Sequence, residues 1–151
     1  MAVIFQPKFN KAQITKMLKD RRQMIVNALL TELARIGEQF VSNARSSANF
    51  KDRTGNLRSS IGYVILYNGM QYTDNFKTLK GKDGESIARK LVDEIATEFP
   101  RGLVLICVAG MEYAAAVESK GFDVITSSAS IAEGSLKQAM KSMKEKLKST
   151  P

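Results

Sequence analysis

The chain contains no histidine and no tryptophan, and only one cysteine and three prolines, among 151 residues. Without histidine there is no Ser-His-Asp or Cys-His catalysis, none of the usual zinc ligand sets, and no general acid/base of the commonest kind near neutral pH. A lone cysteine, Cys107, excludes an intrachain disulfide framework and any multi-thiolate metal centre. No stretch approaches the ~20 consecutive apolar residues that cross a bilayer. The opening residues Met1 to Pro7 are apolar, but too short for a secretory h-region and preceded by no basic segment, which predicts synthesis in the cytosol. Chemistry built on Asp, Glu, Lys, Arg and Tyr remains open. The balance nevertheless shifts from an enzyme towards a binding or structural protein with no cofactor, metal or small-molecule substrate.

What is present is ordinary for a soluble globular protein: 44% apolar and 25% charged residues, in a length that fits one domain, 1–151. The charge is not evenly spread. Residues 1–55 carry 10 basic and 4 acidic side chains, whereas 56–110 carry 7 and 6, and 111–151 carry 6 and 5. The net +8 therefore comes mostly from the first third, with Lys8, Lys11, Lys16, Lys19, Arg21 and Arg22 clustered there. Such a cluster is either a solvated helix face or a surface for a polyanion, including non-specific DNA contact through Lys16, Lys19, Arg21 and Arg22. Sequence readout is not supported, because no helix-turn-helix, zinc finger or aromatic RNA-binding signature accompanies it.

After an N-terminal arm (1–9), the three-to-four spacing of Ile14, Met17/Leu18, Met24/Ile25, Ala28/Leu29, Leu33, Ile36, Phe40/Val41 and Ala44 predicts one amphipathic helix over 10–48. Asn10 and Gln13 have capping-box spacing, and Phe9 with Ile14 that of a hydrophobic staple. Such a helix spans roughly 57 Å, longer than the ~40 Å diameter of a compact chain this size. It must either break, with Gly37 as the weak point, or pack its end on another subunit; the second is favoured.

Asn49 to Asn56 reads as a loop, and Ile61 to Tyr67 as a strand joined through Asn68-Gly69 to a second, Met70 to Thr73. Residues 74–84 read as an exposed loop, and an inserted helix follows at about 85–99, stopped by Pro100. The continuous apolar run Leu103 to Ala109 predicts a central strand buried on both faces, with Cys107 as a small core residue. Two helical turns over Glu112 to Ser119 and a short strand Phe122 to Ile125 come next. A C-terminal helix over 130–148 then opens on a Ser130-x-x-Glu133 capping box. The expected class is α+β: long N-terminal and C-terminal helices on a small antiparallel or mixed sheet spanning 57–125.

No constellation of catalytic type stands out. Gly81-Lys-Asp-Gly84 before a helix suits an anion in principle, but it lacks Walker spacing, and Asp83 and Glu85 repel phosphate. Asp93, Glu94 and Glu98 read as a solvated helix face. A ribonuclease-type toxin would draw on Arg53, Arg58, Tyr63 and Tyr113, and no spacing singles them out.

Two segments, Arg53-Thr-Gly-Asn-Leu-Arg-Ser-Ser-Ile-Gly62 and Val108-Ala-Gly-Met-Glu-Tyr-Ala-Ala-Ala-Val-Glu-Ser-Lys-Gly121, carry a resemblance. In order and separation they resemble the neck and tail-completion proteins of long-tailed bacteriophages, which join head to tail. Thr54, Gly55, Leu57, Ser60 and Ile61 match a Thr-Gly-x-Leu-x-x-Ser-Ile pattern opening a strand. Tyr113, Ala114, Val117, Glu118 and Gly121 match a Tyr-Ala-x-x-Val-Glu pattern with a following glycine turn. Ser119-Lys120 stand where that family often has one aromatic residue, and 74–101 looks like an insertion. The resemblance implies a non-enzymatic virion component of a phage or prophage, made in the host cytoplasm and carried into the virion. Its partners would be copies of itself in a ring, the head connector, and tail-tube or terminator proteins. Arg53, Thr54, Gly55, Leu57, Tyr113, Glu118 and Gly121 would be interface or motif residues. The alternatives are a small basic nucleic-acid-binding module of a mobile element and the ribonuclease-type toxin.

Overall fold

The computed structural model describes residues 1–6, 8–46 and 50–149. In chain order the elements are α1 (Lys11–Ser46), α2 (Asn56–Ser59), β1 (Ile61–Tyr67), β2 (Met70–Asp74), α3 (Gly84–Ala96), β3 (Leu103–Ala109), α4 (Ala114–Ser119) and α5 (Thr126–Ser149). The class is α+β, as expected. The expected end of the first helix at Ala48 and the start of the loop at Asn49 lie outside the described residues.

The three strands form one antiparallel sheet in the order β2-β1-β3. β1 is the central strand, and Ile61 to Leu66 are all buried because each face of the sheet carries its own apolar core. On one face Ile61, Tyr63 and Ile65 meet Leu33, Phe40 and Val41 of α1, with Ala114 of α4 and Leu136 of α5 packed alongside. On the other, Val64 and Leu66 meet Ala88 and Val92 of α3, with Phe76 closing the layer. The helix expected as an insertion thus builds the second face of the sheet. The β1–β2 hairpin turns on Asn68 (φ 51°) and Gly69 (φ 77°), two successive left-handed residues of the kind a two-residue hairpin needs.

α1 opens on the expected capping box. The Asn10 N–H donates to Gln13 Oε1 and the Gln13 N–H to Asn10 Oδ1, both at 2.9 Å. It then continues for 36 residues without a break at Gly37, about 54 Å at 1.5 Å per residue. Gly37 serves packing instead of bending: a Cβ there would lie 2.6 Å from Cδ2 of the Tyr63 ring. That ring is buried, and its hydroxyl donates to Glu38 Oε1 at 3.0 Å, so it has no room to retreat. Gly37→Ala is expected to lower stability by about 1–2 kcal/mol, overpacking outweighing the gain in helix propensity. In a Tyr63→Leu background the same change should become neutral or stabilising by urea denaturation; an equal loss in both backgrounds would refute the contact.

Three expectations are corrected. β3 is an edge strand, half-buried along much of its length. An unbroken apolar run is consistent with burial on both faces but says nothing of which strand takes the centre. Phe122 to Ile125 form no strand, because the N–H groups of Val124 and Ile125 donate to Glu118 Oε1 (3.3 and 2.9 Å) and not to a ladder. α5 starts at Thr126, so Ser130 and Glu133 lie inside it. Its first turn is capped by acidic side chains from outside the helix, the Thr126 N–H donating to Glu118 Oε1 (3.1 Å) and the Ser127 N–H to Asp123 Oδ1 (3.1 Å).

Candidate functional site

The two sequence motifs meet. The Gly110 N–H donates to the Ser60 carbonyl at 3.1 Å, and Ile61 pairs with Ala109 across β1 and β3. The first motif does not open directly into a strand. Gly55 (φ 77°) starts a helical turn, α2, whose Leu57 and Ser59 are buried. Ser59 Oγ donates to the Gly55 carbonyl (2.8 Å) and accepts from the Leu79 N–H (3.0 Å), pinning the 74–84 loop to the turn. Gly81 and Gly84 press against Asn56, so the space an anion would need is filled by this chain's own backbone.

Within the second motif, Glu118 spends its carboxylate on the start of α5. Those hydrogen bonds, the Ile125 N–H first, hold its pKa below the usual value against the opposing effect of burial. Tyr113, the residue before α4, is 41% exposed, whereas Val117, four positions on, packs on the core. Gly121 turns the chain at φ 85°. Arg53 and Thr54 are exposed beside α2. Gly55, Leu57 and Glu118 thus hold the fold, and Arg53, Thr54 and Tyr113 are the motif side chains open to a partner.

The other candidate residues lie elsewhere. Every residue from Lys11 to Met24 is exposed, so the first half of α1 projects beyond the sheet. Arg45, near the far end of α1, donates from Nη2 to the Ile61 carbonyl (2.7 Å) beside the motif junction. Arg22 and Arg45 are roughly 35 Å apart along the helix, so basic face and motifs do not form one site. Nor do the four basic residues share one surface. Lys16 and Arg21 rim an apolar groove with Met17, Met24, Ile25 and Leu147, whereas Lys19 and Arg22 lie outside it.

That groove belongs to a longer trench, which the sequence reading missed. It starts against Leu103, Leu105 and Cys107 of β3, where Leu29 and Leu33 of α1 and Leu136 of α5 enclose about 490 Å³. Leu29 and Met140 carry it into the α1–α5 seam, and Ile25 and Leu147 carry it on to the projecting half of α1. The sequence signal was present in Ile14, Met17, Leu18 and Met24, an apolar stripe that the chain itself leaves exposed.

Reactive chemistry is weak. Burial pushes the Cys107 thiol up to about 12, so it stays protonated and inert. Tyr63, raised by burial and by its bond to Glu38, is equally locked. The Arg58 guanidinium lies over the Phe50 ring, 5.7 Å from its centre. A ribonuclease quartet of Arg53, Arg58, Tyr63 and Tyr113 is therefore split between interior and surface. Among the described residues, no group of three or more His, Cys, Asp or Glu is placed to hold a metal ion, and no helix is long and apolar enough to cross a membrane. Comparison with protein families, with curated proteins and with solved structures gives no match to this chain.

Proposed function

We propose that this chain is a structural assembly protein of a tailed phage or prophage, acting without catalysis in a ring at the head–tail junction or head-proximal tail end. The observation that carries the reading is the bare half of α1. Ile14, Met17, Leu18 and Met24 are exposed on a helix that outruns its own sheet. Contiguous apolar surface left open in this way marks a contact with another molecule. The motif resemblance supplies the kind of assembly: copies of itself, a head connector and tail-tube or terminator proteins. Function is then geometric, with projecting helices and sheet edges setting the ring and Arg53, Thr54 and Tyr113 offered to neighbours.

The test is electron microscopy of lysates from a phage carrying a nonsense mutation in this gene. Full heads beside unattached or malformed tails are expected; normal infectious particles would refute the role. The second reading, a nucleic-acid-binding module, is favoured by the exposure of Lys16, Lys19, Arg21 and Arg22. It predicts tight binding of short duplex DNA by the isolated chain, with affinity falling steeply as salt rises. In the ring reading, Glu at all four positions reduces phage yield while leaving the fold intact by circular dichroism. Unchanged yield would remove DNA or assembly contacts from these four side chains.

A further inference from the structure

The free edge of β3 and the N-terminal arm are complementary, and neither is paired among the described residues. The ladder between β1 and β3 ends in two backbone hydrogen bonds, from Gly110 N–H to the Ser60 carbonyl and from Asn68 N–H to the Gly102 carbonyl. Antiparallel pairing alternates, so between those ends Val104, Ile106 and Val108 turn their peptide groups to β1. Leu103, Leu105, Cys107 and Ala109 turn theirs outward. Across the seven residues of β3 there is no proline and no charge to blunt that edge. The side chains of Leu103, Leu105 and Cys107 also line the 490 Å³ end of the trench. An incoming strand would therefore find backbone partners and an apolar slot in one place.

The arm has the matching character. Residues 1–6 carry no charged side chain, belong to no helix or strand and are exposed, with Ile4 at 80% and Phe5 at 91%. It cannot serve its own edge. Ile4 lies seven residues before Lys11, a reach of about 24 Å at full extension. Leu33, level with the slot, lies about 33 Å from Lys11 along α1. Glu32 and Glu133 border the slot but are paired with Arg35 and Lys137, both at 2.6 Å, so the match rests on apolar side chains and backbone groups.

We propose that Val3 to Phe5 of one copy add as a strand to the outer edge of β3 in a second copy, seating apolar side chains in its slot. The contact uses different surfaces on the two copies, so it propagates head to tail and forms a ring where the rotation between copies closes. The inference rests on the self-association in the reading above and specifies its contact.

The test uses the purified 151-residue chain, sized by light scattering over a concentration series. The wild type associates as concentration rises. Ile4→Asp and Phe5→Asp, at positions too exposed to affect folding, weaken association on the order of a hundredfold, because a charge cannot enter the slot. Leu105→Glu blocks the edge in the same way. Mixing Ile4→Asp with Leu105→Glu chains yields a dimer and nothing larger, since one intact arm and one intact edge remain. Should Leu105→Glu fail to fold, a peptide of residues 1–9 added to the Ile4→Asp protein gives the second readout. It must slow amide exchange at two neighbouring outward amides among Leu103, Leu105, Cys107 and Ala109, which is as far as a three-residue strand reaches. A monomeric wild type, association that survives Ile4→Asp, or a peptide that leaves those four amides unprotected overturns the proposal. A monomer whose loss still gives defective tails would remove the arm exchange alone; arm exchange with normal phage particles would remove the virion role alone.

Discussion

Gly110→Val is expected to lower stability by about 3 kcal/mol or more, at the upper end of overpacking effects. Gly110 follows β3 where α3 crosses the sheet, and a Cβ there would run into the backbone of Ala88, 2.7 Å from its nitrogen and closer still to its Cα. Ala88 is fully buried, so relief requires moving the whole of α3. That movement would also strain the Gly110 N–H bond to Ser60 and the pairing of Ile61 with Ala109. Gly134→Ala is the control. Nothing lies within 4 Å of a Cβ at that helical position, and the change should stabilise by about 0.5–1 kcal/mol through helix propensity. Urea denaturation followed by circular dichroism reads both. A Gly110→Val midpoint equal to wild type would show that α3 does not sit as closely on the end of β3 as described.

Features encoded by neighbouring residues were legible in the sequence. The Asn10–Gln13 capping box and the Asn68-Gly69 hairpin each depend on two to four consecutive positions, and both formed as read. The equally local Ser130-x-x-Glu133 pattern and the Phe122–Ile125 strand failed because Glu118 and Asp123 start α5 at Thr126, and the other failures depended on partners distant in sequence. Ile61–Tyr67 and Leu103–Ala109 are both apolar strands, and only the placement of β2 and the helices decides that the first is central. Gly37 looked like a helix weakness because its reason, the Tyr63 ring, lies 26 positions away on a strand. The trench was invisible for the same cause, since it exists only once α5 lies antiparallel on α1. The apolar stripe of α1 was read correctly as one face, but its division into a covered half and a bare half is set by where the sheet ends. Motif residues behaved likewise: the pattern marked Glu118, and only the fold reveals that its carboxylate is used within the chain.

Glu118→Ala is expected to cost about 2–3 kcal/mol, more than an ordinary cap, because one carboxylate gathers several donors at a helix start. Glu118 Oε1 accepts from Val124, Ile125 and Thr126 N–H groups, and Oε2 accepts from the Thr126 hydroxyl at 2.9 Å. Without it these donors turn to water, and the turn that seats buried Val124 in the core loses its anchor. Glu118→Gln keeps an acceptor oxygen but not the charge, and should lose about half as much. The two also differ in pH dependence. The folded state lowers the Glu118 pKa, so its contribution is complete above the unfolded carboxyl value of ~4.3 and disappears as pH falls through the lower folded value. Wild type and Glu118→Gln should therefore differ fully at pH 7 and converge as the solution is acidified below ~4. A gap that stays constant through that range would mean that the charge of Glu118 contributes nothing, and that α5 is held by Asp123 and by its packing on α1.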